Sequence, residues 1–156
     1  MSKRSKIYMT GGQTGDYNTA LSAAWVFNIV TNRWGKLPNM LQARFRHSSV
    51  ALDNRLFVMG GVISNHAYAG SIEFLVRSSV ADGWQTVVEH NDLIKRSFTG
   101  VAAISASKMV IFGGQNQGRF FNDGYTFDWS NKEVEPFLGK ETDIAFYTET
   151  QKCWSG

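Results

Sequence analysis

Three times in 156 residues a short apolar run closes on a pair of glycines. The copies are Ile7-Tyr8-Met9-Thr10-Gly11-Gly12, Leu56-Phe57-Val58-Met59-Gly60-Gly61 and Met109-Val110-Ile111-Phe112-Gly113-Gly114, with steps of 49 and 53 residues between the pairs. Self-similarity near fifty residues marks a repeat architecture, in which one unit cannot bury its apolar face alone and must stack on the next. Each run has strand length and strand composition. The glycines suit backbone with positive φ or a close approach by a neighbouring chain.

Strand and turn signals fill in the units. Residues 1–5 form an N-terminal tail and 6–40 a partial first unit, with strands at Ile7–Gly12, Ala24–Phe27 and Arg33–Leu37, the last ended by Pro38. A full second unit occupies 43–88: Arg44–Leu52, a turn at Asp53-Asn54, Leu56–Gly61, a polar loop from Ile63 to Gly70, Ser71–Val76 and Gly83–Val88. A full third unit occupies 95–138, with strands at Phe98–Ile104, Met109–Gly114, Gly124–Asp128 and Glu133–Leu138, and a loop at Gln115–Arg119. Asp143–Thr150 is expected as the first strand of a further unit, and 151–156 as a C-terminal tail. Phe27 precedes Trp34 by seven residues, Phe127 precedes Val134 by seven, and Phe74 precedes Trp84 by ten. Positions 34, 84 and 134 are therefore expected to be equivalent buried sites, filled less fully by valine.

Composition narrows the function classes. Aromatics at 13% and charged residues at 19% describe a folded chain with a core, not a disordered one. A formal charge of +3, partly held by Lys3, Arg4 and Lys6, is too small to point to nucleic acid. Cys153 is the one cysteine, so the chain carries no internal disulfide framework. No run approaches the roughly 18 apolar residues of a membrane span. A cytoplasmic protein is the expectation, with no nucleic acid and no membrane as partner.

The glycine pairs, the aromatics thirteen to fifteen residues beyond them and the tryptophans that follow resemble the kelch repeat, as do Arg44 with His47-Ser48 and the ending Leu37-Pro38-Asn39-Met40. The resemblance covers roughly residues 6–150 and implies an all-β fold: a kelch-type β-propeller segment of about three four-stranded blades. Propellers close with about four to eight blades. The chain is thus expected to form an incomplete or open ring, as part of a longer propeller, as one partner of an assembly of copies or other chains, or as an open stack. Gly11, Gly12, Gly60, Gly61, Gly113, Gly114, Trp34 and Trp84 are the expected structural residues.

The resemblance also implies a non-enzymatic module that binds a protein partner, a peptide or surface loop, and permits a place within a longer adaptor or scaffold. Family binding surfaces are built from the loops after the glycine pairs and the segments that open each unit. Here these supply Arg46, Arg44, His47, Ser64, Asn65, His66, Tyr68, Gln115, Asn116 and Arg119 as partner-binding candidates, side chains suited to carboxylates, phosphates or carbonyls. Arg44 and Arg46, two apart on a strand, are expected on one face. Arg44 and Arg96 admit a second reading, bonding carbonyls of a neighbouring blade, and His47 one as a hydrogen-bonded structural residue. An enzyme on the same scaffold is the alternative. His47, His66 and His90 lack metal-ligand spacing, Cys153 with Tyr147 is all that a copper site could draw on, and Asp16, Asp123, Asp128 and Glu133 show no paired arrangement. The expectation is accordingly no catalytic residue, no metal and no cofactor.

Overall fold

Antiparallel strands, joined by turns and three one-turn 3-10 segments, make up the regular structure of residues 5–15 and 19–137, which the computed structural model describes. The strand expected at Asp143–Thr150 and the Cys153 and Tyr147 side chains lie outside the described residues. The first sheet pairs β1 (Lys6–Thr10), β2 (Ala24–Asn28) and β3 (Arg33–Leu37) in that order. The second has four strands in sequential order: β4 (Ser48–Leu52), β5 (Arg55–Met59), β6 (Ile72–Val76) and β7 (Trp84–Val88). In the third, β8 (Gly100–Ala103) and β9 (Lys108–Phe112) are followed by a small hairpin, β10 (Gln115–Asn116) with β11 (Arg119–Phe120), and then by β12 (Gly124–Asp128) and β13 (Glu133–Phe137). The order across that sheet is β8-β9-β12-β13. These meanders are propeller blades, and the described residues form no closed ring.

Three details depart from the sequence reading. β4 starts at Ser48 and β8 at Gly100, later than expected, because Arg46 (φ 54°) and Phe98 (φ 58°) are left-handed and turn the chain before each inner strand. The Gln115–Arg119 loop is a hairpin whose tip, Gln117 and Gly118, has φ of 48° and 82°, the signs a tight two-residue hairpin turn requires. In blade 2, Trp84 pairs with Leu75 rather than Phe74, whereas Phe27 pairs with Trp34 and Phe127 with Val134. Leu75 is therefore the residue equivalent to the two phenylalanines.

Blade 2 is covered on both sides. Leu56 and Val58 of β5 pack with Ala24, Leu37, Met40, Leu75 and Trp84 at the seam with blade 1. Phe57 and Met59, which point the other way, pack with Met109, Ile111, Tyr125 and Phe127 of blade 3. A strand buried on both faces reads as an uninterrupted apolar run, as β5 does. Trp84 is 4% exposed and donates from Nε1 to the Pro38 carbonyl at 2.9 Å, bridging to blade 1. Trp34 is 56% exposed, contrary to the expectation of equal burial. It lies with Ile7 and Met9 on the face of blade 1 turned away from blade 2, so an equivalent position does not guarantee an equivalent neighbour.

At two glycines the seam leaves no room for a side chain. A Cβ on Gly11 (φ +61°) would stand 2.3 Å from the Arg44 carbonyl oxygen. A Cβ on Gly60 (φ +63°) would stand 2.6 Å from the Arg96 carbonyl oxygen and 2.8 Å from that of Ile94. All three obstacles are backbone atoms and cannot rotate away. Gly60→Val should destabilise the protein by about 3 kcal/mol, strain and overlap combined. Gly100→Ala, whose Cβ would meet only Phe112 O at 3.9 Å, should change little in the same chemical melt. Equal midpoints for Gly60→Val and wild type would refute this account of the seam.

Candidate functional site

The segments that open blades 2 and 3 each carry an arginine that faces inward. Arg44 is fully buried, and its Nη2 lies 2.6 Å from Oε1 of Glu73, itself buried on β6. The same guanidinium donates to the Gly60 carbonyl at 3.0 Å, the Ser71 carbonyl at 3.3 Å and Ser71 Oγ at 2.8 Å. Glu73 also accepts from the backbone N–H groups of Leu41 (2.8 Å) and Gln42 (3.0 Å), tying the linker between blades 1 and 2 to the pair. Burial pulls the Arg44 pKa below the usual arginine value, and the Glu73 carboxylate opposes that pull.

Arg96 repeats the arrangement one blade on. Its Nη1 donates to the Gly113 and Asp123 carbonyls at 3.4 and 3.3 Å and pairs with Asp123 Oδ1 at 2.6 Å. The guanidinium carbon also sits 3.9 Å from the Phe121 ring centroid. The acids come from different places, since Tyr125 stands in blade 3 at the position that Glu73 fills in blade 2. Asp123 instead occupies the position of Ser71, directly before the third strand of its blade. Nothing in the spacing of Glu73 marks it as the partner of an arginine 29 residues earlier, and the sequence reading missed it.

His47 is enclosed at the same seam. Its Nε2 lies 2.8 Å from Thr10 Oγ1 of blade 1, and its Nδ1 is buried without a hydrogen-bond partner. Desolvation, reinforced by the nearby Arg44 charge, pushes its pKa down from 6.5 to about 4. The imidazole is neutral at physiological pH and serves the packing between blades.

The outward surface of this end is different in kind. Arg44 and Arg46 do not share a face: the left-handed turn at Arg46 sends its side chain into solvent while Arg44 points inward. The Arg46 guanidinium carbon lies 5.3 Å from the Phe45 ring centroid and 5.0 Å from that of Phe98, and Phe98 N–H donates to the Arg46 carbonyl at 3.0 Å. Tyr68 reaches the β10–β11 hairpin, its hydroxyl accepting from Gln117 N–H at 3.0 Å. A shallow cleft of about 360 Å³ lies between them, lined by Ala67, Tyr68, Lys95, Asn116 and Gln117. Asn116 is held there by its bond to the Lys95 carbonyl at 2.7 Å. Ser64, Asn65 and His66 form an exposed turn at the rim, with Asn65 and His66 left-handed. Asp92 is engaged by Lys95 at 2.9 Å. Arg46 and Arg119 have no carboxylate partner among the described residues. Two exposed aromatics, Phe98 at 60% and Phe120 at 82%, complete the surface. Phe98 is the register equivalent of Arg46; Phe120 had no sequence signal beyond lying after a glycine pair.

A family model described as the KLHDC2/KLHL20/DRC7 Kelch-repeats domain matches residues 1–145. The chain belongs to the kelch-repeat family. Kelch-like protein 25 of Homo sapiens is 33% identical over 116 residues, which cover 70% of this chain and 19% of the relative. An F-box/kelch-repeat protein of Arabidopsis thaliana is 42% identical over 57 residues, 36% of this chain and 15% of the relative. Tip elongation aberrant protein 1 of Schizosaccharomyces pombe is 28% identical over 133 residues, 81% of this chain and 11% of the relative. The kelch chain thus spans a small part of each relative.

Two stability measurements test the buried groups. Glu73→Ala strands the Arg44 charge inside the seam and should cost about 3–5 kcal/mol in chemical denaturation. A cost near zero would show that the pair is solvated. For His47, the unfolded chain takes up a proton near pH 6.5 and the folded chain only near pH 4, so protonation favours unfolding. Stability is complete above pH 6.5 and should fall by about 3 kcal/mol down to pH 4, a loss that His47→Gln removes. A wild-type profile identical to that of the variant would contradict a neutral, enclosed imidazole.

Proposed function

We propose that this kelch chain is a protein-interaction module whose surface around Arg46 binds a peptide or surface loop of a partner. The observation that carries this reading is the state of Arg46. It is exposed, flanked by two rings, and without a carboxylate partner among the described residues, whereas Arg44 and Arg96 are committed to the interior. Stacking on Phe45 and Phe98 limits the freedom that the side chain loses on binding and leaves its N–H edge for a carboxylate or carbonyl. Ser64, Asn65, His66, Tyr68, Gln115, Asn116 and Arg119 supply polar contacts around it, and Phe98 and Phe120 the apolar ones. His47 and Arg44 support this surface from below.

The module acts within a larger cytoplasmic adaptor or scaffold. Ile7, Met9 and Trp34 on one flank, and Phe112 on the other, are exposed at positions whose blade 2 equivalents are buried between blades. Further blades, or other copies of the chain, cover these flanks.

Selection from a displayed peptide library tests the reading. Arg46→Ala should weaken the selected peptides by roughly tenfold or more while leaving the melting temperature unchanged. A fall in melting temperature would make Arg46 structural, and unchanged affinity would move the interaction to another surface.

A further inference from the structure

The two blade seams are filled differently at their outer edge. Between blades 1 and 2, Trp84 crosses the gap and bonds to Pro38. At the next seam the equivalent residue is Val134, paired with Phe127 as Trp84 is paired with Leu75. Valine has neither the reach nor the N–H of an indole. On the same seam, where Val134 and Trp129 both pack against the cluster that holds Phe74, a cleft of about 370 Å³ stands open between β7 and the turn that joins β12 to β13, within the range of small-ligand pockets, roughly 300–1,000 Å³.

Its walls have a definite chemistry. Trp129, from the turn, packs edge-on against Phe74 and Phe57 of blade 2, with ring centroids 4.7 and 5.5 Å apart. The Arg55 guanidinium carbon lies 4.3 Å from the Trp129 ring centroid and Lys132 Nζ 5.7 Å from it. Arg55 pairs through Nη1 with Asp53 at 2.7 Å, but its Nε is buried without a hydrogen-bond partner. Lys132 has no carboxylate partner among the described residues. Gln85 and Thr86 add polar groups from β7. β5 runs from Arg55 toward Gly60, so the cleft lies at the opposite end of the blade from Arg46 and does not depend on the interaction surface proposed there.

We propose that this cleft binds an aromatic carboxylate. The ring takes the place that tryptophan fills at the neighbouring seam, packing on Trp129 where its indole meets the edge of Phe74. The carboxylate meets Lys132 and Arg55. The ligand is either a free aromatic acid or the C-terminal aromatic residue of a peptide, which offer the same two groups.

The test uses the isotope-labelled 156-residue chain, titrated with N-acetyl-tryptophan, its primary amide, and acetyl-glycyl-seryl-tryptophan. N-acetyl-tryptophan should shift the Trp129 indole N–H and the Thr86 and Val87 amides saturably, at millimolar concentration or below. The amide should bind roughly fivefold or more weakly. Lys132→Glu should remove that difference, and Val134→Trp should abolish binding by filling the seam. Tighter binding of the tripeptide assigns the site to peptide termini, and weaker binding to free acids. The proposal is overturned if no saturable shift occurs, if shifts centre on Trp25 and Trp34, or if Lys132→Glu binds both probes as wild type does. Should Val134→Trp fail to fold, the Lys132→Glu comparison decides alone.

Discussion

One interaction recurs at each seam, and the blades depend on it. The side chain of Arg44 donates to the carbonyl of Gly60 in its own blade, while its main-chain carbonyl accepts from Gly12 N–H of the blade before at 3.0 Å. Arg96 does the same with Gly113 and with Gly61 N–H, the latter at 2.7 Å. Each arginine is thus a joint between two glycine pairs. Gly11 and Gly60 must be glycines because the arginine backbone lies where their Cβ atoms would be. The arginine must be long and rich in donors to reach these carbonyls from the segment that opens its blade. Its charge, taken out of water, requires an acid, and the two seams meet that need from different positions, Glu73 and Asp123.

This joint divides the arginines by role. Directly after Phe45 the left-handed Arg46 throws its side chain outward, so two arginines two residues apart serve opposite sides of the chain. Phe98 makes the same turn in blade 3, which brings an aromatic ring beside Arg46 through the hydrogen bond between their backbones. The geometry that closes the seam therefore also builds the outward surface.

Much of the fold was legible because it rests on local pattern. The glycine pairs, the strand runs before them, and the spacing of positions 34, 84 and 134 all survive in the register of the sheets. What was not legible depends on neighbours. The longer connection between β6 and β7, with its 3-10 turn at Val80–Asp82, hides Leu75 as the partner of Trp84 behind the more conspicuous Phe74. Trp34 and Trp84 read alike in sequence, yet among the described residues only Trp84 has a blade packed over it. Glu73 looks like a lone acid in an apolar strand, and its meaning appears only when Arg44 and the linker amides converge on it. Arg46 and Phe98 carry no residue-type signal for a left-handed turn, since glycine and asparagine are the usual occupants there.

Native-state hydrogen exchange at Gly12 and Gly61 reads the joint itself. Both amides should be protected to near the level of global unfolding, because each donates into a buried arginine carbonyl. Arg44→Met should strip protection from Gly12 while Gly61 keeps most of its own. Exchange of both glycines at the rate of exposed loop amides in the wild-type protein would contradict the joint and the account built on it.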